Sequence, residues 1–377
     1  MKNTCKILFF LMLSAVIFGG CSVTQNPSPE TAAPIFSEPF PEQPPVSSSE
    51  SASEDPKDIP PKPGMVRSTL TNEWISEDAA KTRPIAVIIP NQKEAIPHYS
   101  ISKASVIYEA KVEGSLTRMM ALFENWKSLK KIGNVRSIRS YFAYWSFEWD
   151  AIPVHVGGPY FCYDLLRQEN VQSVDGTYDT TAFFRTEDRQ APHNAYVSGD
   201  GILQAVNNNH YDLEYRGLTE ESHFLFADSS QPNDLKQYEA AAVDAAYIDM
   251  TEAYPLTRCY FEYNEEDHLY YRYQYLSGSV DGPHIDVYTG RQLCFSNILV
   301  QHIITEDIGN GYLAMQCHDT TQEGWFFTYG KGIHVTWKKI GDYGPTRFFD
   351  DNGHEIFLNT GKTMILVIKD TDHFSYR

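Results

Sequence analysis

Residues 105–160 hold strand-length apolar runs that carry charges a plain hydrophobic core would exclude. SVIYEA, TRMMALF and AIPVHV are rich in β-branched and aromatic residues and read as buried strands. Glu109, Glu113, Arg118, Arg136, Arg139 and His155 sit within or beside these runs. If residues 135–140 are extended, Arg136 and Arg139 point to opposite faces; in a helical turn they share one. A buried arginine without a partner is costly, so each needs a carboxylate, a carbonyl or an anionic ligand. Glu109 and Glu113 are the nearest carboxylates in sequence. Two readings stay open: internal ion pairs that lock strands together, or a polar pocket for an anionic group.

The 377 residues allow two domains plus targeting and linker segments. Residues 1–20 form a secretory leader, with Lys2 and Lys6 before an apolar stretch too short for a good membrane span. The leader ends Phe18-Gly19-Gly20-Cys21, which resembles the lipobox of bacterial lipoproteins except at Phe18, where leucine is usual. An ordinary cleaved leader is the alternative. Lipidation at Cys21 supplies two acyl chains, enough for a stable anchor. The sequence therefore predicts attachment to the cell membrane on its extracytoplasmic face. Residues 21–64 comprise this cysteine and a Pro/Ser/Glu tether holding eleven of the 21 prolines. Such a segment buries too little surface to order itself and spans roughly 35 Å as a coil.

Loss of the leader removes two lysines and no acid, taking the net charge from −18 to −20. A chain this acidic repels nucleic acid, so no nucleic-acid partner is expected. Cys162, Cys259, Cys294 and Cys317 are widely spaced, without the CxxC of a zinc site or redox dithiol. An exported compartment permits a disulfide, but the spacing selects no pair.

Residues 65–228 read as an α/β layered domain. PIAVII at 84–89 is a strand, residues 141–150 and 160–169 are helical, and residues 200–206 open a short helix. An aromatic and basic loop follows AIPVHV-Gly157-Gly158, carrying Arg185, Arg189 and Ala191-Pro192-His193-Asn194. Residues 229–377 read as an all-β domain: CYFEYN, HLYYRYQY, NILVQHIIT, GWFFTYG, GIHVTWKKI and TMILVIK recur at hairpin spacing. The fold class is therefore α+β overall, with the α/β layered domain followed by the all-β one.

Several motifs together resemble the YerB-like family of lipoproteins from Gram-positive bacteria. They are Tyr108-Glu109-Ala110, Val112-Glu113-Gly114, Thr117-Arg118, Val135-Arg136-Ser137-x-Arg139, His155-x-Gly157-Gly158 and Ala191-Pro192-His193-Asn194. In the second half they are Tyr271-Arg272, Gly282-Pro283-His284-x-Asp286, Thr289-Gly290, Asn297 and Gly330-Lys331 through Trp337. Asn134 and Met364 depart from the family pattern, which has proline and commonly an aromatic there. The resemblance implies a fold and a location but no activity, substrate or cofactor.

Ser137 has His155 and His193 as available bases, but no GxSxG elbow or other spacing joins them. Glu109, Glu113, His155 and His193 lack the spacing of a metal motif, so neither metal nor cofactor is expected. Arginine forks match phosphate and carboxylate geometry, and five cluster in the first half of an acidic protein. The candidate ligand-binding set is Glu109, Glu113, Arg118, Arg136, Ser137, Arg139, His155, Arg185, Arg189, His193 and Asn194. The reading is a non-catalytic envelope protein that binds a cell-wall polymer or its precursor, or scaffolds an envelope protein partner. The alternative is a transferase or ligase acting on lipid-linked pyrophosphates, by fold-level likeness to LytR-type cell-wall ligases.

Overall fold

The apolar runs of both halves become neighbours in one mixed sheet. The computed structural model describes residues 59–218, 223–238, 240–275 and 281–377. The expected leader, Cys21 and nearly all of the tether lie outside the described residues. The elements that position the site are β1 (Ile85–Asn91), β2 (Val106–Lys111), β3 (Thr117–Phe123), α1 (Ser140–Phe147), β4 (Ile152–His155), α2 (Tyr160–Leu166), β5 (Val174–Asp175) and α3 (Gly199–Asn208). In the second half they are β6 (Tyr260–Asn264), β7 (Leu269–Tyr275), β8 (Asn297–Ile303), β9 (Thr320–Thr328), β10 (Lys331–Lys339) and β11 (Thr363–Lys369).

The sheet has eleven strands. From one edge the order is Val243–Asp244, β10, β9, β8, β11, β2, β3, β1, β4, β5, with Arg347–Phe349 also pairing β10. β11 runs parallel to β8 on one side and to β2 on the other, where Val106 faces Thr363 and Ala110 faces Val367. Strand β2 is buried at all six positions. Its edge carbonyls and amides would be orphaned without β11. The division expected between 65–228 and 229–377 is therefore a change of sequence pattern, and the hydrogen-bond ladder runs across it unbroken.

Side-chain alternation sorts the apolar residues onto two faces. Val87, Ile89, Ile107 and Met119 pack with Ile202 and Val206 of α3 and with Ile248, Phe261, Tyr270 and Phe295. The last four belong to a six-stranded antiparallel layer that includes β6 and β7. On the opposite face Ile88, Tyr108, Met120 and Leu122 pack with Tyr141, Phe142 and Trp145 of α1 and with Trp337. Both faces are covered, which explains the unbroken apolar runs of β1 and β3. The architecture is α+β, and among the described residues every α-helix lies in the first half. Cys162, Cys259, Cys294 and Cys317 are all free thiols.

Candidate functional site

The arginines gather where β1 and β4 end and β3 begins. Residues 134–139 strap this edge: Arg136 N donates to the Ile88 carbonyl (2.8 Å), Val156 N to the Arg136 carbonyl (3.1 Å) and Ile138 N to the Gly157 carbonyl (3.0 Å). The Asn134 amide donates to the carbonyls of Ala95 and His193, at 3.0 and 2.8 Å. It thereby ties down the loop that carries His193 and Asn194. Phe183–Arg185 pairs with Ala195–Val197, which sets Arg185 opposite Ala195.

Most of these cations have acceptors. Arg139 grips both carboxylate oxygens of Glu113 through Nε and Nη2 and donates to the Ile138 carbonyl (2.7 Å). Despite partial burial, that grip holds the Glu113 carboxyl below its ordinary range. Arg118 donates to the Ser137 carbonyl. Arg185 donates to the Asn194 side chain (2.8 Å), and Arg189 to the carbonyls of Ala95 (2.6 Å) and Pro97 (2.7 Å).

Arg136 is the exception. It is half-buried, its Nε is sealed from solvent without a hydrogen-bond partner, and no described carboxylate pairs with it. Burial first, then the charges of Arg139 and Arg185, push its guanidinium below the ordinary range. His193 beside it also has a buried, unpartnered Nδ1. Burial and the nearby Arg136 push that imidazole down. An anion placed here would meet an uncompensated guanidinium and relieve its repulsion with its neighbours.

Ser137 lies within this crest, but no hydrogen bond among the described residues joins it to His155 or His193. The nucleophile–base pair weighed from sequence is thus not assembled. His155 lies elsewhere, facing a cavity with Asp175 and Tyr163. Among the described residues no three His, Cys, Asp or Glu side chains converge as a metal-holding group.

Glu109 is separated from the crest by the sheet. It stands opposite Met119 while its neighbour Ala110 stands opposite Arg118. Glu109 and Arg118 therefore project to different faces. On its own face Glu109 is fully buried and accepts from Asn91 Nδ2 (2.8 Å), Thr117 Oγ1 (2.7 Å) and Arg272 Nη2 (2.9 Å). Its partner is an arginine of β7 and not one of the crest.

From Arg272 a chain of donors continues. Arg272 Nη1 donates to His284 Nδ1, His284 Nε2 meets His98 Nδ1 at 2.9 Å, and His98 Nε2 meets the Pro90 carbonyl at 2.8 Å. A carbonyl only accepts, so His98 carries its proton on Nε2 and presents a lone pair at Nδ1. His284 must then donate from Nε2 and accept at Nδ1. The relay is satisfied only with both imidazoles neutral. Next to it Asp286 accepts from Ser100 N, Ser102 N and Ser102 Oγ at 3.0, 3.0 and 2.6 Å. Arg272, His284 and Asp286 stood in recognised motifs, but their role depends on what β2 presents to them.

Comparison with known proteins agrees with this architecture. Residues 70–212 match the N-terminal domain described as "Protein of unknown function (DUF3048)", and residues 248–365 match its C-terminal domain. The chain belongs to the YerB-like family built from this pair of domains. It is 27% identical over 321 residues to the Bacillus subtilis (strain 168) protein described as "Putative lipoprotein YerB", covering 83% of this chain and 89% of the relative. A crystal structure of YerB from Bacillus subtilis superposes with a TM-score of 0.68 at 25% identity, covering 82% of this chain and 99% of that one.

Proposed function

We propose that this protein is a lipoprotein held on the extracytoplasmic face of the cell membrane, where the arginine crest binds an anionic group of a cell-wall polymer or its precursor. Arg136 carries the reading: a half-buried guanidinium with no described counter-charge, set among Arg118, Arg139, Arg185 and His193. A purely structural cluster would pair that charge, as Glu113 pairs Arg139. The anchor reading rests on Gly19-Gly20-Cys21 and on the description of the Bacillus subtilis relative.

Thermal melts with and without pyrophosphate and lipid-linked wall precursors test the crest. The wild type should gain stability, by about 2.7 kcal/mol at a ligand concentration near one hundred times Kd. Arg136→Ala should lose that gain while its unliganded stability stays level or rises slightly, because a like-charge contact is removed. A wild type that no anion shifts, with a variant that melts markedly lower, would make Arg136 architectural and end this reading.

The anchor has its own test. Cys21→Ala should abolish incorporation of labelled fatty acid and release the protein from the membrane fraction. Undiminished labelling of that variant would refute lipidation at this cysteine.

A further inference from the structure

A cavity of about 440 Å³ opens where β4 and β5 end, walled by α2, α3 and the residues that follow them. That volume lies within the usual range of small-molecule sites, about 300–1,000 Å³. None of the crest arginines lines this cavity, although Gly157 touches both sites: its carbonyl accepts from Ile138 N and its N–H donates to Asp175 on the cavity wall.

His155 lines the cavity and is fully buried. Its Nδ1 lies 2.9 Å from the Gly157 carbonyl, which accepts only, so the proton is on Nδ1. Nε2 is therefore a bare lone pair, buried and without any protein donor. Burial holds this imidazole neutral against the pull of Asp175. Three of the groups beside it are also acceptors fixed in place. Asp175 takes Gly157 N (2.8 Å) and Thr177 N (2.9 Å) on Oδ1 and the Tyr163 hydroxyl (2.9 Å) on Oδ2. Tyr163 has used its proton on Asp175 and offers an oxygen lone pair. Asp179 is held by Thr181 N (2.7 Å) and Asn209 Nδ2 (3.2 Å).

An occupant that reaches His155 Nε2 and the Tyr163 oxygen must donate to them, while Arg167, whose guanidinium lies 5.4 Å from the Tyr163 ring centre, and Asn208 on the same wall can donate to it. Asp175 and Asp179, two carboxylates to the single guanidinium of Arg167, oppose an anion, so the cavity and the crest select different chemistry. A cation is opposed by the Arg167 guanidinium on the same wall and meets an Asp175 whose oxygens already hold three donors. Neutral hydroxyls satisfy His155 Nε2 and the Tyr163 oxygen together. The mouth adds Tyr178, which is 72% exposed and stands edge-on to the Tyr163 ring at 6.1 Å. An exposed aromatic ring beside fixed polar acceptors suits a ligand with hydroxyls at its rim and an apolar C–H face. We propose that this cavity binds a neutral carbohydrate unit, with His155 Nε2 accepting from a sugar hydroxyl and Tyr178 covering the ring.

Saturation-transfer NMR of the full chain with cellobiose, maltose and N,N′-diacetylchitobiose tests the proposal, with the ¹⁵N resonance of His155 Nε2 read in parallel. At least one disaccharide should receive saturation and move the Nε2 resonance as the lone pair becomes engaged. His155→Phe should weaken binding about tenfold or more, the loss expected of one well-placed hydrogen bond. Tyr178→Ala should do likewise, and its exposure means that it leaves folding untouched. No transfer and no Nε2 shift with any of the three sugars would overturn the proposal, as would binding that survives Tyr178→Ala unweakened. Pyrophosphate should leave the Nε2 resonance unmoved; a shift would mean that the cavity takes anions and would also overturn it. Failure here leaves the crest reading standing, because that is read through Arg136 and charged probes.

Discussion

Replacing Arg272 by methionine should cost the fold about 3–5 kcal/mol, as removal of one partner from a buried ion pair does elsewhere. The guanidinium and the Glu109 carboxylate are both fully buried and 2.9 Å apart. Methionine keeps much of the volume but leaves the Glu109 charge with Asn91, Thr117 and the weak Cys259 thiol as donors. It also removes the donor to His284, the head of the relay. Glu109→Gln alone should be similarly costly, because it strands the guanidinium. The double variant should be clearly more stable than the two single losses added together, since neither charge then remains unpaired. Urea unfolding of the four proteins measures this coupling. Two single losses below about 1 kcal/mol, simply adding, would show that the pair contributes little. The pair joins β2 to β7, and β2 is also laddered to β11. Unfolding should therefore be a single transition spanning both sequence halves.

Acid should weaken the protein before its carboxylates titrate. Burial pushes His98 down to about 4 from an ordinary value of 6.5, with Arg272 and Arg189 adding to the fall and the Pro90 carbonyl opposing it. His284 is lowered further by burial, Arg272 and His98. A depressed folded-state pKa means that the unfolded chain binds the proton first. The stabilisation is complete above pH 6.5 and is lost as pH falls toward 4. For His98 alone the difference amounts to about 3 kcal/mol. The cause is geometric: protonating His98 Nδ1 breaks its bond from His284 Nε2 and sets two donors face to face. His98→Gln supplies an amide donor for Pro90 and an oxygen for His284 without titrating. Unfolding free energies measured from neutral pH down to about 5 should fall for the wild type and run flatter for this variant. Parallel curves would place the acid sensitivity elsewhere.

The strands were legible because each is a local property. The apolar runs IAVII, VIYEA and TRMMALF carry their signal in β-branched and aromatic composition, and each forms a strand of the sheet. The helices at Ser140–Phe147 and Tyr160–Leu166 begin within a residue of where the reading put them. The gathering of Arg118, Arg136, Arg139, Arg185, Arg189 and His193 was suggested by sequence, since arginines recurring between 118 and 189 of an acidic chain ask for a reason. Glu113 was a near neighbour in sequence and is the partner of Arg139 in space.

Sheet membership was not legible. A parallel strand far along the chain can insert beside any buried edge, and nothing local in TMILVIK says that its partners are SVIYEA and NILVQHI. The assignment of Glu109 failed for a related reason. Sequence proximity made it a candidate for the crest, but strand alternation sends it through the sheet to the face that β7 covers. His155 shows the same limit, because the residue that looked like a base for Ser137 ends β4 and faces a cavity closed by β5 and two helices. The sequence by itself determined which segments are strands, which residues are charged and where a lipid anchor is signalled. The tertiary structure decided which charges meet. Partnership between buried ions depends on the face and register of strands hundreds of residues apart, and those are set by the burial of the whole sheet at once.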